Sequence, residues 1–296
     1  IHTQGDTYLT CEKEDSATPS AAELVNFALD LQKEIYAQDE RVIDGTQSVA
    51  GFGSFEKAIF NSNGLDLADS GAFDYSYAWA IVSDGKEMYN GMEIKSGKMA
   101  DFNKTEIAKE AVKTAVETIG YTSVDSGEYK VVFSNKVMSS LLSVYSSIFS
   151  AEAAQKGLSL LKDKEGECIA ADIVTVTDDP LYKDSLVKAT FDDEGAATYA
   201  KNVIENGKFT TFLHNLATAA KAGVKTTGNG YKASYSSPVG INHYNFYINP
   251  VKGSLEDLFA EAGNGIYITS VEGMHAGADA ISGDFSLSSG GFRIED

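Results

Sequence analysis

Thr198–Glu205 (TYAKNVIE) and Lys208–Leu213 (KFTTFL) flank the dipeptide Asn206-Gly207. This stretch decides the fold class. Asn-Gly tolerates the positive φ that both central residues of a two-residue hairpin turn require, so the flanking segments read as an antiparallel pair. The β signal continues outward, at Ile169–Thr177 before the hairpin and at Asn242–Ile248, Gly265–Val271 and Ala278–Leu287 after it. Ser254-Leu255-Glu256-Asp257 opens a short helix with a capping serine. Similar punctuation governs residues 41–100, where Asn63-Gly64, Asp84-Gly85 and Asn90-Gly91 separate aromatic and β-branched runs such as Ala72–Val82. An antiparallel meander is expected there.

Between these regions the hydrophobic period changes to that of helices. Thr18-Pro19 reads as a cap followed by a first-turn proline, and Leu24, Phe27, Leu31 and Ile35 then recur at helical spacing, predicting a helix over 19–38. Thr105 is placed as the cap of a second helix over 105–119. After a short strand at Tyr129–Phe133, apolar residues from Val137 to Phe149 interleave with Ser139, Ser143, Ser146 and Ser147, which predicts a buried helix over 136–161. The expected fold class is α+β: largely antiparallel sheet, barrel-like in the C-terminal region, with a few long helices. Its expected division is 1–130, carrying helix, meander and second helix, and 131–296, carrying the buried helix and the C-terminal sheet.

Composition narrows the function. Hydrophobic residues make up 43% and charged residues 23% of the 296, which is enough apolar material for a sizeable core. The formal net charge of −19 opposes binding to phosphate backbones or anionic membranes, since both draw on Lys and Arg. Residues 1–17 read as a loose polar start without the apolar core of a leader, and no segment is apolar enough to span a bilayer. Cys11 and Cys168 stand far apart and form no CxxC pair, so both are expected as free thiols in a reducing, cytoplasmic compartment.

Motifs for chemistry are sparse. Gly51-Phe52-Gly53 lacks the third glycine and the βαβ context of a dinucleotide loop, and neither a phosphate loop nor a G-x-S-x-G elbow occurs. His2, His214, His243 and His275 are isolated from one another, whereas a zinc site favours paired ligands on one helix face. Asp178-Asp179 and Asp192-Asp193-Glu194 read as solvated turns whose carboxylates accept backbone N–H groups. Two glycine-rich stretches remain. Thr227, Gly228, Asn229 and Gly230 form the core of one; His275, Gly277, Ser282, Gly283 and Asp284 belong to the other. Dense glycine allows another backbone to come close, which suits an extended peptide; sheet corners and bulges account for the same glycines.

The order of these motifs resembles a known family. Asp39-Glu40-Arg41-Val42, Asn61-Ser62-Asn63-Gly64, Phe191–Gly195, Asn202–Gly207, Thr227–Gly230 and the run from Gly273-Met274 through Ser282–Ser286 to Gly291–Glu295 follow the pattern of TldD/PmbA proteins. Members are usually longer at both ends, so the family's N-terminal α/β segment and C-terminal tail are expected to be absent from these residues. Active members carry His-Glu-x-x-x-His on a helix, with zinc held by the histidines. The matching positions here are Ser143, Val144 and Ile148. The resemblance therefore points to the PmbA/TldE branch, also named for modulation of DNA gyrase. It implies no catalytic residue and no metal or other cofactor on this chain, with zinc expected only on a TldD-type partner. It also implies a peptide substrate and a homodimer or a heterodimer with that TldD-type subunit, with no contact to nucleic acid or membrane. Two alternatives stand beside this: an autonomous peptidase using His275 with Asp284 or His243, and a non-enzymatic scaffold that binds a peptide or a partner strand.

Overall fold

A computed structural model describes residues 6–10 and 18–295; His2 and Cys11, with most of the expected polar start, lie outside them. The described residues fall into two compact units. The smaller holds 18–57 and 68–125, and the larger holds 6–10, 58–67 and 126–295.

In the smaller unit, helix α1 (Ala21–Gln38) is followed by strands β1 (Gln47–Phe60), β2 (Asp66–Ser83) and β3 (Met88–Gly97), ordered β1-β2-β3, and by helix α2 (Lys104–Glu117). The helix starts differ from those expected. Ser20 caps α1, because Ser20-x-x-Glu23 closes both halves of a capping box: Glu23 N donates to Ser20 Oγ (3.2 Å) and Ser20 N donates to the Glu23 carboxylate (2.7 Å). Asn103 caps α2, while the Thr105 hydroxyl donates to Glu34 of α1 instead. Asn63-Gly64 and Asp84-Gly85 do turn the chain, with φ of +90° and +88° at their glycines. Asn90-Gly91 does not: it lies inside β3, paired with Ile81 and Ala80. Helix α2 crosses so closely over Gly91 that an added Cβ would stand 2.2 Å from the Ala111 carbonyl oxygen. That glycine serves packing and has no turn to make. Leu31 and Ile35 of α1, Ala78, Ala80 and Val82 of β2, and Ile107, Ala111 and Ala115 of α2 form the buried core.

The larger unit begins with β4 (Lys130–Phe133), α3 (Asn135–Tyr145), a 3-10 turn (Ser146–Phe149) and α4 (Ala151–Gln155). The continuous helix expected over 136–161 is thus broken. The Ser146 hydroxyl donates back to the Ser143 carbonyl (2.7 Å), competing with the helical ladder, and Ser150 restarts the chain as the cap of α4. Next come β5 (Val176–Asp179), β6 (Lys201–Glu205), β7 (Lys208–Phe209), α5 (Leu216–Ala222), β8 (Gly230–Tyr231), β9 (Gly240–Ile241) and β10 (Asn245–Ile248). The chain closes with α6 (Leu255–Ala262), β11 (Gly265–Glu272), α7 (Met274–Gly277) and β12 (Ser288–Ile294). Residues 278–287 form no strand. The Asp279 carboxylate accepts Ile281 N (2.8 Å) and tightens a turn, and β12 starts only afterwards.

The sheets are β10-β5-β6-β7 and β8-β9, both antiparallel, and β12-β11-β4, whose β11–β4 pair is parallel. The α+β class holds, but none of these sheets closes on itself among the described residues, so the C-terminal region is not a barrel. A second core gathers Phe149, Val176, Val203, Phe209 and Leu213. The hairpin tip 58–67 belongs to this unit, where Leu65, 2% exposed, lies against Gly195. No helix among the described residues is long and apolar enough to cross a membrane.

Candidate functional site

The larger unit presents two groups of polar residues: a buried clasp at the end of the four-stranded sheet, and an exposed segment where α3 ends.

Asp178 on β5 is the centre of the clasp. Its Oδ2 accepts from Lys201 Nζ on β6 (3.1 Å) and from Asn229 Nδ2 (2.8 Å), and its Oδ1 accepts from Tyr244 N (2.6 Å). Lys201 Nζ also donates to Asn229 Oδ1 (3.1 Å) and stands 4.8 Å from the centre of the Tyr199 ring. The antiparallel pairing of β5 with β6 sets Asp178 opposite Lys201, and that of β5 with β10 sets Phe246 opposite Asp178. Burial lowers the Lys201 ammonium pKa, against the pull of Asp178, and raises that of the Tyr244 phenol.

The turn 192–195 completes the clasp. Asp192 is fully buried and accepts from Glu194 N, Ala196 N and Gly230 N (2.9, 2.9 and 2.8 Å). Burial raises the pKa of its carboxyl, and the backbone donors pull it back. An added Cβ on Gly230 would stand 2.8 Å from a Glu194 carboxylate oxygen and 3.0 Å from one of Asp192, so only glycine lets both acids approach. The expectation of solvated acidic turns is corrected here. Asp192 does accept backbone N–H groups, but Asp178 and Asp192 are both 0% exposed.

Thr227, Gly228, Asn229 and Gly230 are all buried in this network. Gly228 N donates to the Thr226 hydroxyl, Asn229 N to the His214 carbonyl, and Gly230 N to Asp192. The Thr227 hydroxyl accepts from His214 N (2.6 Å). Each polar group has its partner inside the chain, so the clasp acts as a rigid support.

The second group gathers the other candidates. Ser143 is exposed on α3, Val144 is half-buried, and Ile148, on the 3-10 turn, packs against the second core. The Tyr145 hydroxyl donates to the Asp284 carbonyl (3.1 Å), which ties this segment to the turn holding Ser282, Gly283 and Asp284. An added Cβ on Gly283, whose φ is +83°, would stand 2.8 Å from Leu160 Cδ1, and one on Gly277 would stand 2.3 Å from the Ser286 carbonyl oxygen. His275 and Asp284 are exposed. His243 is engaged locally, its Nδ1 3.0 Å from the Tyr244 carbonyl oxygen and its ring 5.0 Å from that of Phe246.

These residues do not fit zinc. A hydroxyl and two hydrocarbon side chains stand at Ser143, Val144 and Ile148, and no group of three His, Cys, Asp or Glu among the described residues could hold a metal ion. Sequence patterns missed Lys201, Tyr199 and Tyr244. Charge on a strand that reads Lys-Asn-Val-Ile-Glu was the one available hint, because a lysine pointing into a sheet core needs a buried acid.

Comparison with known proteins agrees with this architecture. Residues 14–119 match the model of the PmbA/TldA metallopeptidase central domain, and residues 126–296 match that of the C-terminal domain. The crystal structure of a Thermotoga maritima protein named for modulation of a DNA gyrase is 35% identical, with a TM-score of 0.91 over 99% of this chain and 68% of that one. TldE from Thermococcus kodakarensis is 25% identical, with a TM-score of 0.81 over 90% of this chain and 61% of that one. An uncharacterised Methanocaldococcus jannaschii protein is 32% identical over 77% of this chain and 52% of its own length. A metalloprotease PmbA homologue of Haemophilus influenzae is 24% identical over 90% of this chain and 57% of its own length. The chain thus spans a little over half the length of these two relatives. With both domain models matched in order and the fold shared along almost the whole chain, this protein belongs to the PmbA/TldD metallopeptidase family.

Proposed function

We propose that this chain is a PmbA/TldE-type component of a metallopeptidase system that acts on peptides or unfolded proteins in the cytoplasm, and that it carries no hydrolytic zinc itself. One feature supports this reading above the others: the family resemblance sets Ser143, Val144 and Ile148 against the positions where zinc-bearing members place two imidazoles and a carboxylate. A hydroxyl and two alkyl groups can neither hold the ion nor activate water. The metal then resides on a separate TldD-type subunit, with this chain as its partner. The relative's name for DNA gyrase modulation is read here as proteolysis, since a chain of net charge −19 is poorly suited to a phosphate backbone.

The test is elemental analysis of the purified chain together with peptide cleavage, alone and mixed with a zinc-bearing TldD-type subunit. The expected result is no stoichiometric zinc and no turnover alone, with turnover in the mixture. Stoichiometric zinc and cleavage by the chain unaided would overturn the proposal. Cleavage alone that is lost in His275→Ala, with folding intact, would favour the autonomous peptidase.

A further inference from the structure

One carboxylate oxygen of the clasp touches both nitrogens that an amide exchange would involve. Asp178 Oδ2 accepts from Lys201 Nζ (3.1 Å) and from Asn229 Nδ2 (2.8 Å), while Lys201 Nζ also donates to Asn229 Oδ1 (3.1 Å). The network fixes which way the Asn229 amide points. Its Nδ2 faces two acceptors, Asp178 Oδ2 and the Asn242 carbonyl (2.9 Å), and its Oδ1 faces a donor, Lys201 Nζ. The amine therefore lies beside the carbonyl of the amide, and the carboxylate bridges the attacking and the leaving nitrogen.

The surroundings suit acyl transfer. Asp178 is 0% exposed, Asn229 1% and Lys201 8%, so water is kept from competing with the amine. The Tyr199 and Tyr244 rings stand 4.8 and 5.9 Å from Nζ and wall it in. Burial lowers the Lys201 pKa and favours the neutral amine, which is the nucleophilic form. Tyr244 N donates to Asp178 Oδ1 (2.6 Å), which keeps Oδ2 turned to the two nitrogens. The register of β5 on β6 sets Asp178 opposite Lys201, so folding itself brings the reacting groups together.

We infer that the clasp closes on itself covalently: Lys201 Nζ displaces the side-chain nitrogen of Asn229, and an isopeptide bond joins β6 to the segment just before β8. One proton first passes from Nζ to Asp178 Oδ2, leaving a neutral amine and a carboxylic acid. The Nζ lone pair attacks Asn229 Cγ, and the carbonyl electrons move onto Oδ1. Asp178 gives its proton to Nδ2 and takes a second one from Nζ. The electrons on Oδ1 then return, the Cγ–Nδ2 bond breaks and ammonia leaves. Ammonia carries off the proton held by Asp178, which regains its carboxylate. Nothing is oxidised or reduced, and Asp178 is the catalytic residue of the step. Strand β6 belongs to the four-stranded sheet and β8 to the two-stranded one, so the bond staples one sheet to the other. The inference does not rest on the proposed function, because the bond forms within this chain whatever its partner or substrate.

The intact mass of the purified chain, measured under denaturing conditions, should fall short of its sequence mass by one ammonia. Proteolysis should then leave the fragments holding Lys201 and Asn229 joined as one branched peptide. Asn229-Gly230 can lose the same ammonia by attack of Gly230 N on Cγ, but Gly230 N is turned to Asp192 (2.8 Å). A loss confined to one linear fragment would assign it to such an imide and overturn the inference. So would a full sequence mass that persists on prolonged incubation of the folded chain. Asp178→Asn and Lys201→Met should each restore the full mass; a cross-link that still forms in Asp178→Asn would overturn the role given to the carboxylate. The unmodified chain decides whether the bond exists even if these variants do not fold.

Discussion

Lys201 Nζ and Asp178 Oδ2 lie 3.1 Å apart, with their side chains 5% and 0% exposed. Both charges have left water, and the pair is sustained only because Asn229 and Tyr244 N supply the remaining hydrogen bonds. Removing one partner strands the other. Lys201→Met should destabilise the protein by about 3–5 kcal/mol. The double change with Asp178→Asn should cost less than the two single losses combined. Urea denaturation of the four members of this cycle checks both statements; additive losses would show that the pair is not coupled.

A pH dependence follows from His214. Its ring is buried, with Nδ1 3.2 Å from the Thr218 hydroxyl, and burial holds its pKa below the usual value near 6.5. The unfolded chain therefore takes up a proton at a higher pH than the folded one. Stability from this group is full above the unfolded pKa and falls as pH drops from about 6.5 towards the folded value. The melting temperature should decline over that window, and His214→Asn should flatten the decline. A slope unchanged in the variant would exclude His214 as its source.

Gly91 offers a test of close packing between sheet and helix. A Cβ there would stand 2.2 Å from the Ala111 carbonyl oxygen and 2.5 Å from Ala115 N, both backbone atoms that cannot rotate away. Gly91→Ala should cost about 1–3 kcal/mol by overpacking. Gly127→Ala, whose nearest neighbour is the Tyr129 ring at 3.6 Å, should change stability by only a few tenths of a kcal/mol. Thermal melts of the two variants make the comparison.

The Asn206-Gly207 turn should be equally intolerant, for a different reason. Both residues have positive φ, +49° and +79°, and a Cβ on Gly207 would stand 2.5 Å from the Ala170 carbonyl oxygen. Gly207→Ala combines a left-handed backbone penalty of about 1 kcal/mol with that clash. It should lose more stability than Asn206→Gly, which keeps the turn geometry available. Equal melting temperatures for the two would refute the assignment.

That turn also shows what the sequence made legible. Asn206-Gly207 sits between two apolar runs, and local chemistry alone specifies a hairpin. Asn90-Gly91 has the same letters and no turn, because the deciding contact is with Ala111 of α2, twenty residues away in the chain. The caps follow the same division. Ser254 was readable, with Asp257 completing its box, while the preference for Asn103 over Thr105 depends on Thr105 reaching Glu34 of α1. At the site, the letters at Ser143, Val144 and Ile148 show side chains without an imidazole or a carboxylate. The clasp was not legible: Asp178, Lys201, Asn229 and Tyr244 come from separate segments and carry no common spacing, so only the register of β5, β6 and β10 brings them together.

The hairpin tip 58–67 has a consequence for inheritance. The chain leaves the smaller unit at residue 58, contributes Leu65 beside Gly195, and returns at residue 68 before crossing for good near residue 126. A cut in the gene between the two domain matches, at 119 and 126, would separate Leu65 from Gly195, against which it is buried. Leu65 would then be exposed, and Gly195 would lose the side chain beside it. Recombination that exchanges one half for a distant homologue's must bring a tip that fits, so the two halves are constrained to diversify as one lineage.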